Sequence, residues 1–569
     1  MTSLTVSTAI SSGRVQLVNV RQRLLLVAKV RVWLVVAAFT FIGVVALFRI
    51  AWLGLSGESD DGRAIGLPPR GEIVDRNGVP LARAFPAYSL WYNPKALGDG
   101  PALVKSPAEV AAALVRIFPD EDQAKLAARL ASGKPQYLRR RIMPEDANRI
   151  HLLGEPALEF PRESERYYPQ GSMAAHVLGL VATNGHGRLG MEAVLDKQLT
   201  DPAARGAPAV LSLDSRVQGA LEDELLKGMH LSASRGAGGI VLDVDTGEVL
   251  ALASLPSFNP NLIDQQSVPN IFNRVTNQVY ELGSVMKPIT VAAAIEAGVV
   301  TDMARRYPAN ALQIGGFTIH DSHSFGASLN VPEALIHSSN IVTAQVADQL
   351  GGARLKATMQ ALGFNRRPDI ELPAGFPIWP RGDWARITTM TVSYGHGLAL
   401  TPMHLASAYA ALVNGGVWRP ATLRKLAPGE VPAGKRIWQA STSARMRQLL
   451  RMIVSVGTGR KADAPGYRVG GKTGSAEKPG AHGYQRTNLI TTFAAAFPMD
   501  KPRYVVIAMM DEPQGTVATS GQRTAAWNAA PVVGRVVPRI GPLLGVMPDA
   551  SRDVDISDLA PLIGNGDGE

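Results

Sequence analysis

Val32 to Leu55 reads VWLVVAAFTFIGVVALFRIAWLGL, 24 residues carrying a single charge, Arg49. As a helix rising 1.5 Å per residue this stretch is about 36 Å long, enough to cross a hydrocarbon layer of ~30 Å. Arg49 stands near one end, where its stem can reach the headgroups, and Trp33 and Trp52 bracket the stretch as interfacial anchors. Arg14, Arg21, Arg23, Lys29 and Arg31 precede it, while Glu58, Asp60 and Asp61 follow. The positive-inside rule therefore predicts a cytoplasmic N-terminus over 1–31, a single-pass anchor over 32–55, and a body on the far side of the membrane. A buried core helix or a cleaved signal peptide is the competing reading. The stretch exceeds the usual ~7–15-residue signal core, and no A-x-A cleavage site follows it.

The formal net charge of +10 would suit a nucleic-acid binder, but six of the basic residues lie before residue 58 and no acid does. The remaining body is close to neutral, so no nucleic-acid partner is expected. Asp549, Asp553, Asp555, Asp558, Asp567 and Glu569 face only Arg552, which predicts a solvated, flexible acidic tail over 546–569. The absence of Cys excludes disulfides, thiolate metal sites and cysteine nucleophiles.

The body divides near the Pro/Ala/Gly stretch 202–208. Before it, Gly71–Val74 and Tyr88–Tyr92 read as strands, and Pro107–Ile117 and Glu121–Leu130 as amphipathic helices. After it, Gly239–Asp243, an Asp245-Thr246-Gly247 turn and Glu248–Ser254 read as a hairpin. Leu489–Phe497 and Tyr504–Met510 are further strands, with helical runs between the two strand groups. Strands flanking a helical centre predict an α+β domain rather than regular βαβ alternation.

Three short patterns carry chemistry. Tyr280-Glu-Leu-Gly-Ser284-Val-Met-Lys287-Pro288 opens an apolar helical run ended by Gly298, which sets Ser284 and Lys287 one turn apart on one face. A serine hydroxyl needs a base within reach, and lysine serves only if burial or a nearby cation lowers its pKa from ~10.4. Ser–x–x–Lys alone is weak: about two are expected by chance in a chain this long, and Ser475-Ala-Glu-Lys478 is a second. Ser–x–Asn occurs at Ser257-Phe-Asn259, Ser328-Leu-Asn330 and Ser338-Ser-Asn340. Only the last interrupts two helical runs, where it can face a cleft; a helix cap or turn is the plainer reading of each. Val469-Gly-Gly-Lys472-Thr473-Gly474-Ser475 supplies a cation and two hydroxyls for a carboxylate on a backbone open to close approach. It does not fit a phosphate loop, and an ordinary Gly-rich strand end is its bland alternative.

The order Ser–x–x–Lys, Ser–x–Asn, Lys–Thr–Gly is the set found in penicillin-binding proteins and class A β-lactamases. On it, and on Arg70-Gly-Glu-Ile-Val-Asp-Arg-Asn-Gly78, Arg166-Tyr-Tyr-Pro169, Gly190-Met-Glu192 and Leu211-Ser-Leu-Asp214, the sequence resembles a class B penicillin-binding protein, a peptidoglycan D,D-transpeptidase. Ser338-Ser-Asn340, Ser393-Tyr-Gly-His-Gly397 with Thr401-Pro402, and Phe493 to Pro498 before Arg503-Tyr-Val-Val resemble the cell-division (septal) type. An elongation-type transpeptidase, a non-enzymatic β-lactam sensor or scaffold, and a β-lactamase are the alternatives. A bifunctional class A protein is disfavoured, because the block before residue 209 is too short for a glycosyltransferase. Leu282 stands where Pro is common, Val285 where Thr is common, and Ser475 where Thr is usual, the last bearing on β-lactam affinity more than catalysis.

The resemblance implies a single transmembrane helix, an elongated non-catalytic pedestal (dimerisation-type) domain over 57–208 and a penicillin-binding transpeptidase domain over 209–545. It implies that Ser284 attacks the penultimate D-Ala carbonyl of a stem peptide, that Lys287 takes its proton, and that Ser338 and Lys472 pass protons to the leaving amine. Asn340 would orient the donor, and Thr473, Gly474 and Ser475 would bind its terminal carboxylate. The backbone N–H groups of Ser284 and Ser475 would form the oxyanion hole. No cofactor or metal is expected, and none of the 10 His residues falls in an H-E-x-x-H pattern. Implied partners are peptidoglycan stem peptides and β-lactams. A membrane glycosyltransferase of the shape-elongation-division-sporulation family and other divisome proteins are implied with them. The implied location is the bacterial inner membrane, with the catalytic domain periplasmic.

Overall fold

The computed structural model describes residues 29–41, 43, 70–98, 100–182, 184–204, 207–263, 265, 267–480 and 483–563. Residues 29–41 are helical and exposed. Half of the expected anchor, 44–55 with Arg49 and Trp52, lies outside the described residues, as does Ile42. Among the described residues no helix is long and apolar enough to cross a membrane. The chain forms two compact units, one containing Tyr88–Pro161 and the other Leu67–Ala87 with Arg162–Glu569.

The smaller unit is a local α/β layer. Strand Gln136–Ile142 pairs antiparallel with residues 88–92, setting Trp91 opposite Tyr137. Helix Pro107–Ile117 starts where expected because Ser106 and Glu109 form a reciprocal capping box and Pro107 sits in the first turn. Helix Gln123–Ala131 begins two residues later than expected, since Asp122 caps it by accepting from Lys125 N. Their apolar stripes bring Val110, Leu114, Leu126 and Leu130 onto Leu90, Tyr92 and Leu138.

In the larger unit the sequence motifs that precede residue 209 converge. Glu192 is fully buried and accepts from Arg70 Nε at 2.7 Å and from Arg166 Nε at 2.6 Å. Asp75 accepts from Asn77 N, Val79 N and both the amide and hydroxyl of Ser215, and Asn77 Nδ2 donates to Asp214. These ties place residues 70–87 and 162–208 in one packing unit with the residues after 209, so the 208/209 boundary read from the sequence is not a break in packing. Removing one member of a buried ion pair strands its partners without solvent. Glu192→Ala is expected to lower stability by about 3–5 kcal/mol, read from urea unfolding, with Glu192→Gln losing less.

The larger unit holds a five-stranded antiparallel sheet: β1 (Gly236–Asp243), β2 (Val249–Leu255), β3 (Gly470–Gly480), β4 (Gly483–Phe497) and β5 (Tyr504–Asp511), in the spatial order β2-β1-β5-β4-β3. The expected hairpin is β1–β2, closed by Asp243 accepting from Asp245 N and Thr246 N. Helices α1 (Ser215–Leu231), α2 (Lys287–Glu296), α3 (Val331–Ile336), α4 (Asn340–Leu350), α5 (Pro402–Val413), α6 (Ala440–Ser455) and α7 (Ala529–Ile540) cover it. On one face Leu221, Leu225, Val533 and Val537 of α1 and α7 pack on Val241, Val506 and Ala508. Across the sheet, Leu405, Tyr409 and Leu412 of α5 join Ile240, Leu252, Ile507 and Met509. Burial of both faces explains why these strands read as apolar runs rather than alternating ones.

The C-terminal segment corrects one expectation. Residues 546–563 are not a solvated tail but are held against the core of the larger unit. Arg451 of α6 makes charge-assisted bonds to Asp553 and Asp463, Arg445 reaches Asp558, and Arg552 pairs with Asp500. Leu559 is 1% exposed, and Val554, Ile556, Leu562 and Ile563 pack beside it. Asp553 and Asp558 look unpaired in the sequence because their arginines lie about a hundred residues earlier.

Candidate active site

Residues Gly283–Met286 form a short 3₁₀ turn leading into α2, and Tyr409 of α5 pins it by donating to Val285 O at 2.8 Å. Ser284 therefore stands at the helix N-terminus, lining a cleft of about 420 Å³. Its hydroxyl has no hydrogen-bond partner among the described residues, so it is free for an incoming group. The two flanking segments approach so closely that side chains are excluded. A Cβ on Gly474 would lie 2.5 Å from Leu282 O, and one on Gly395 would lie 2.2 Å from Gly283 O. Gly395 also has φ +89°, a conformation that favours glycine.

Behind Ser284 lie two fully buried lysines. Lys287 Nζ donates to Ser338 Oγ at 3.1 Å and to the Ser338 carbonyl. Lys472 Nζ donates to Ser338 Oγ at 2.9 Å and to Thr473 O at 2.9 Å. One hydroxyl thus bridges two amines, and Ser338 holds it there in a left-handed backbone conformation, φ +64°. Such strain in a non-glycine residue persists only when its surroundings fix it. Asp321 supplies that fixing: it accepts from Ser339 Oγ at 2.6 Å, from Asn340 N and from Ile341 N.

Burial pushes Lys287 down to about 7, with Asp321 opposing the shift. Burial also lowers Lys472 well below its ordinary value, and the charge of Lys287 adds to that. Of the two causes open from the sequence, burial or a nearby cation, the structure separates one for each lysine. Desolvation governs Lys287, and the repulsion falls on Lys472.

Asn340, Thr473 and Ser475 line the same cleft as Ser284 and Ser338. Asn340 Nδ2 donates to His320 O at 2.9 Å, Thr473 Oγ1 is 2.9 Å from Thr458 Oγ1, and Ser475 Oγ accepts from Ala525 N at 3.1 Å. The sequence-stated set from Ser284 to Ser475 is therefore brought to one place, with Gly474 providing the close approach. The competing copies fall elsewhere: Lys478 pairs with Asp511 and Glu512, Ser257 bonds Ser172 O, and Asn330 caps α3. Sequence reasoning missed Asp321, Thr458, Glu281 and Tyr394 as parts of this site. Thr458 sits between Gly457 and Gly459, a weak signal of close approach, but Asp321 lies in an irregular loop with no pattern around it.

Two family models match the chain: the penicillin binding protein transpeptidase domain over residues 237–533 and the penicillin-binding protein dimerisation domain over 65–203. The chain is 38% identical to the probable peptidoglycan D,D-transpeptidase FtsI of Caulobacter vibrioides, covering 91% of this chain and 89% of that protein. It is 30% identical to the peptidoglycan D,D-transpeptidase FtsI of Escherichia coli K12, covering 92% and 93%. Among solved structures it is similar to penicillin binding protein 3 of Mycobacterium tuberculosis complexed with aztreonam. There the TM-score is 0.66 at 26% identity, covering 85% of this chain and 98% of that one. With the transpeptidase model over 237–533 and relatives matched across nine-tenths of the chain, this protein belongs to the class B penicillin-binding proteins.

Proposed function

We propose that the protein is a serine acyl-transferase that cross-links peptidoglycan stem peptides at the division septum through an acyl-enzyme, and that β-lactams acylate the same serine. The observation that carries the reading is the Ser338 hydroxyl held between two buried, pKa-lowered lysines beside the uncommitted Ser284. Neutral Lys287 takes the Ser284 proton as Oγ attacks the penultimate D-Ala carbonyl. Ser338 and Lys472 return a proton to the departing D-Ala amine. Asn340 orients the donor peptide, and Thr473 and Ser475 bind its terminal carboxylate where Gly474 keeps the wall thin. The backbone N–H groups of Ser284 and Ser475 hold the oxyanion, a contribution of ~10²–10³-fold for one donor.

The chain's layout supports a cytoplasmic N-terminus over 1–31, an inner-membrane anchor over 32–55 and a periplasmic body with pedestal (57–208) and transpeptidase (209–545) domains. An enzyme of this kind has no polymerase of its own, so a membrane glycosyltransferase and other divisome proteins are its partners. Depletion in a growing culture tests the cellular role. Filaments that elongate without dividing are expected, whereas rounded cells would move the assignment to the elongation type.

A further inference from the structure

The 393–397 turn brings a second titratable group to the cleft. Thr290 of α2 donates to Ser393 O at 2.8 Å, and Gly395 packs directly on Gly283, so His396 is carried beside the nucleophile turn and lines the cleft with Ser284. His396 Nδ1 lies 3.1 Å from Glu281 Oε2; Gly397 N and Tyr484 OH each donate to Glu281 Oε1 at 2.9 Å. An ionised carboxylate only accepts, so Nδ1 carries the hydrogen and Nε2 of the neutral ring presents its lone pair. Nε2 has no hydrogen-bond partner among the described residues. Tyr394 and Tyr484 meet the ring edge-on at 5.5 and 5.8 Å and fix its plane. Burial raises both phenols to about 12, with Glu281 and Glu477 adding to the shift of Tyr484, so neither exchanges protons near neutral pH.

The acyl-transfer reading leaves a proton unassigned. The acceptor is a primary amine, protonated near neutral pH at an ordinary pKa of ~10.4, and it cannot attack until it loses that proton. Lys287 and Lys472 are fully buried, committed to Ser338 and absent from the lining of the cleft that Ser284 and His396 share. We propose that His396, held by Glu281, is the base that takes the proton from the acceptor ammonium in the second half-reaction, an inference that rests on the transpeptidase reading above. The proton passes to Nε2, giving an imidazolium paired with Glu281. The freed amine lone pair then forms the C–N bond to the acyl carbon, the C–O bond to Ser284 breaks, and the nitrogen's surplus proton returns through Lys287 to Ser284 Oγ. His396 sheds its proton to water. Glu281 is a positioning residue: it sets the tautomer and touches no substrate.

The test uses the full-length protein with an acyl-D-alanyl thioester donor and D-alanine as acceptor amine, measuring the ratio of aminolysis to hydrolysis from pH 6 to 9. His396→Gln is expected to lower that ratio at least tenfold at pH 7 and much less at pH 9, where more of the amine is already neutral. It should still form the fluorescent penicillin adduct. Glu281→Gln should move the same pH profile with a smaller loss. A ratio within twofold of the parent, or an equal loss at every pH, would overturn the role of His396 alone. A parent protein that forms no penicillin adduct would overturn the transpeptidase reading with it.

Discussion

Ser284→Ala is expected to abolish the covalent adduct with fluorescent penicillin, while the folded protein and its unfolding midpoint stay near those of the parent. The expectation follows from placement. Ser284 Oγ has no partner among the described residues to lose, so truncation removes the reacting atom without stranding a buried polar group. Ser338, whose hydroxyl accepts from both lysines, is the control. Ser338→Ala should slow labelling and leave the adduct detectable. An adduct that persists in Ser284→Ala would sink the nucleophile assignment.

The second large effect is on pH. Lys287 must be neutral to accept a proton, and its pKa is lowered to about 7 by burial. The acylation rate should therefore rise with pH, reach half its plateau near pH 7, and fall as acid restores the ammonium. Lys287→Ala removes the base and should cost ~10²–10⁴-fold in the acylation rate. It should also erase the rising limb rather than displace it. Stopped-flow acylation between pH 5.5 and 9 reads both. A parent profile flat across that range would show that Lys287 is not the titrating base. Asp321→Asn would add a finer check: without the carboxylate opposing the shift, the midpoint should move lower.

Much of the site was legible because its chemistry is local in sequence. Ser284 and Lys287 share one helical turn, and Lys472 to Ser475 are consecutive, so spacing alone joins each group. What joins the groups to one another is long-range packing. Asp321 and Glu281 escaped notice because a lone carboxylate in an irregular loop, or three residues before a serine, is indistinguishable from a solvated one. Their partners, the Ser339–Asn340 turn and the Gly397 amide, become visible only in three dimensions. The same reason misled the reading of the C-terminus, where Asp553 and Asp558 answer arginines on α6. The strands were well placed because apolar runs bounded by turns are a strong signal. β4 extends six residues before Leu489 because polar residues there continue the pairing with β3, beyond the buried sheet.

The order of strands has a consequence for how the molecule is made. β1 pairs along its whole length with β5, so that Asp243 sits opposite Tyr504, and the central pair of the sheet joins the two ends of the domain. Closing a loop of that size costs entropy that only the completed pairing offsets. Until the last strands are made, the early hairpin and the helices that follow keep their sheet-facing side chains uncovered. Destabilising changes in β5 should therefore reduce the abundance of the protein far more than its activity per molecule.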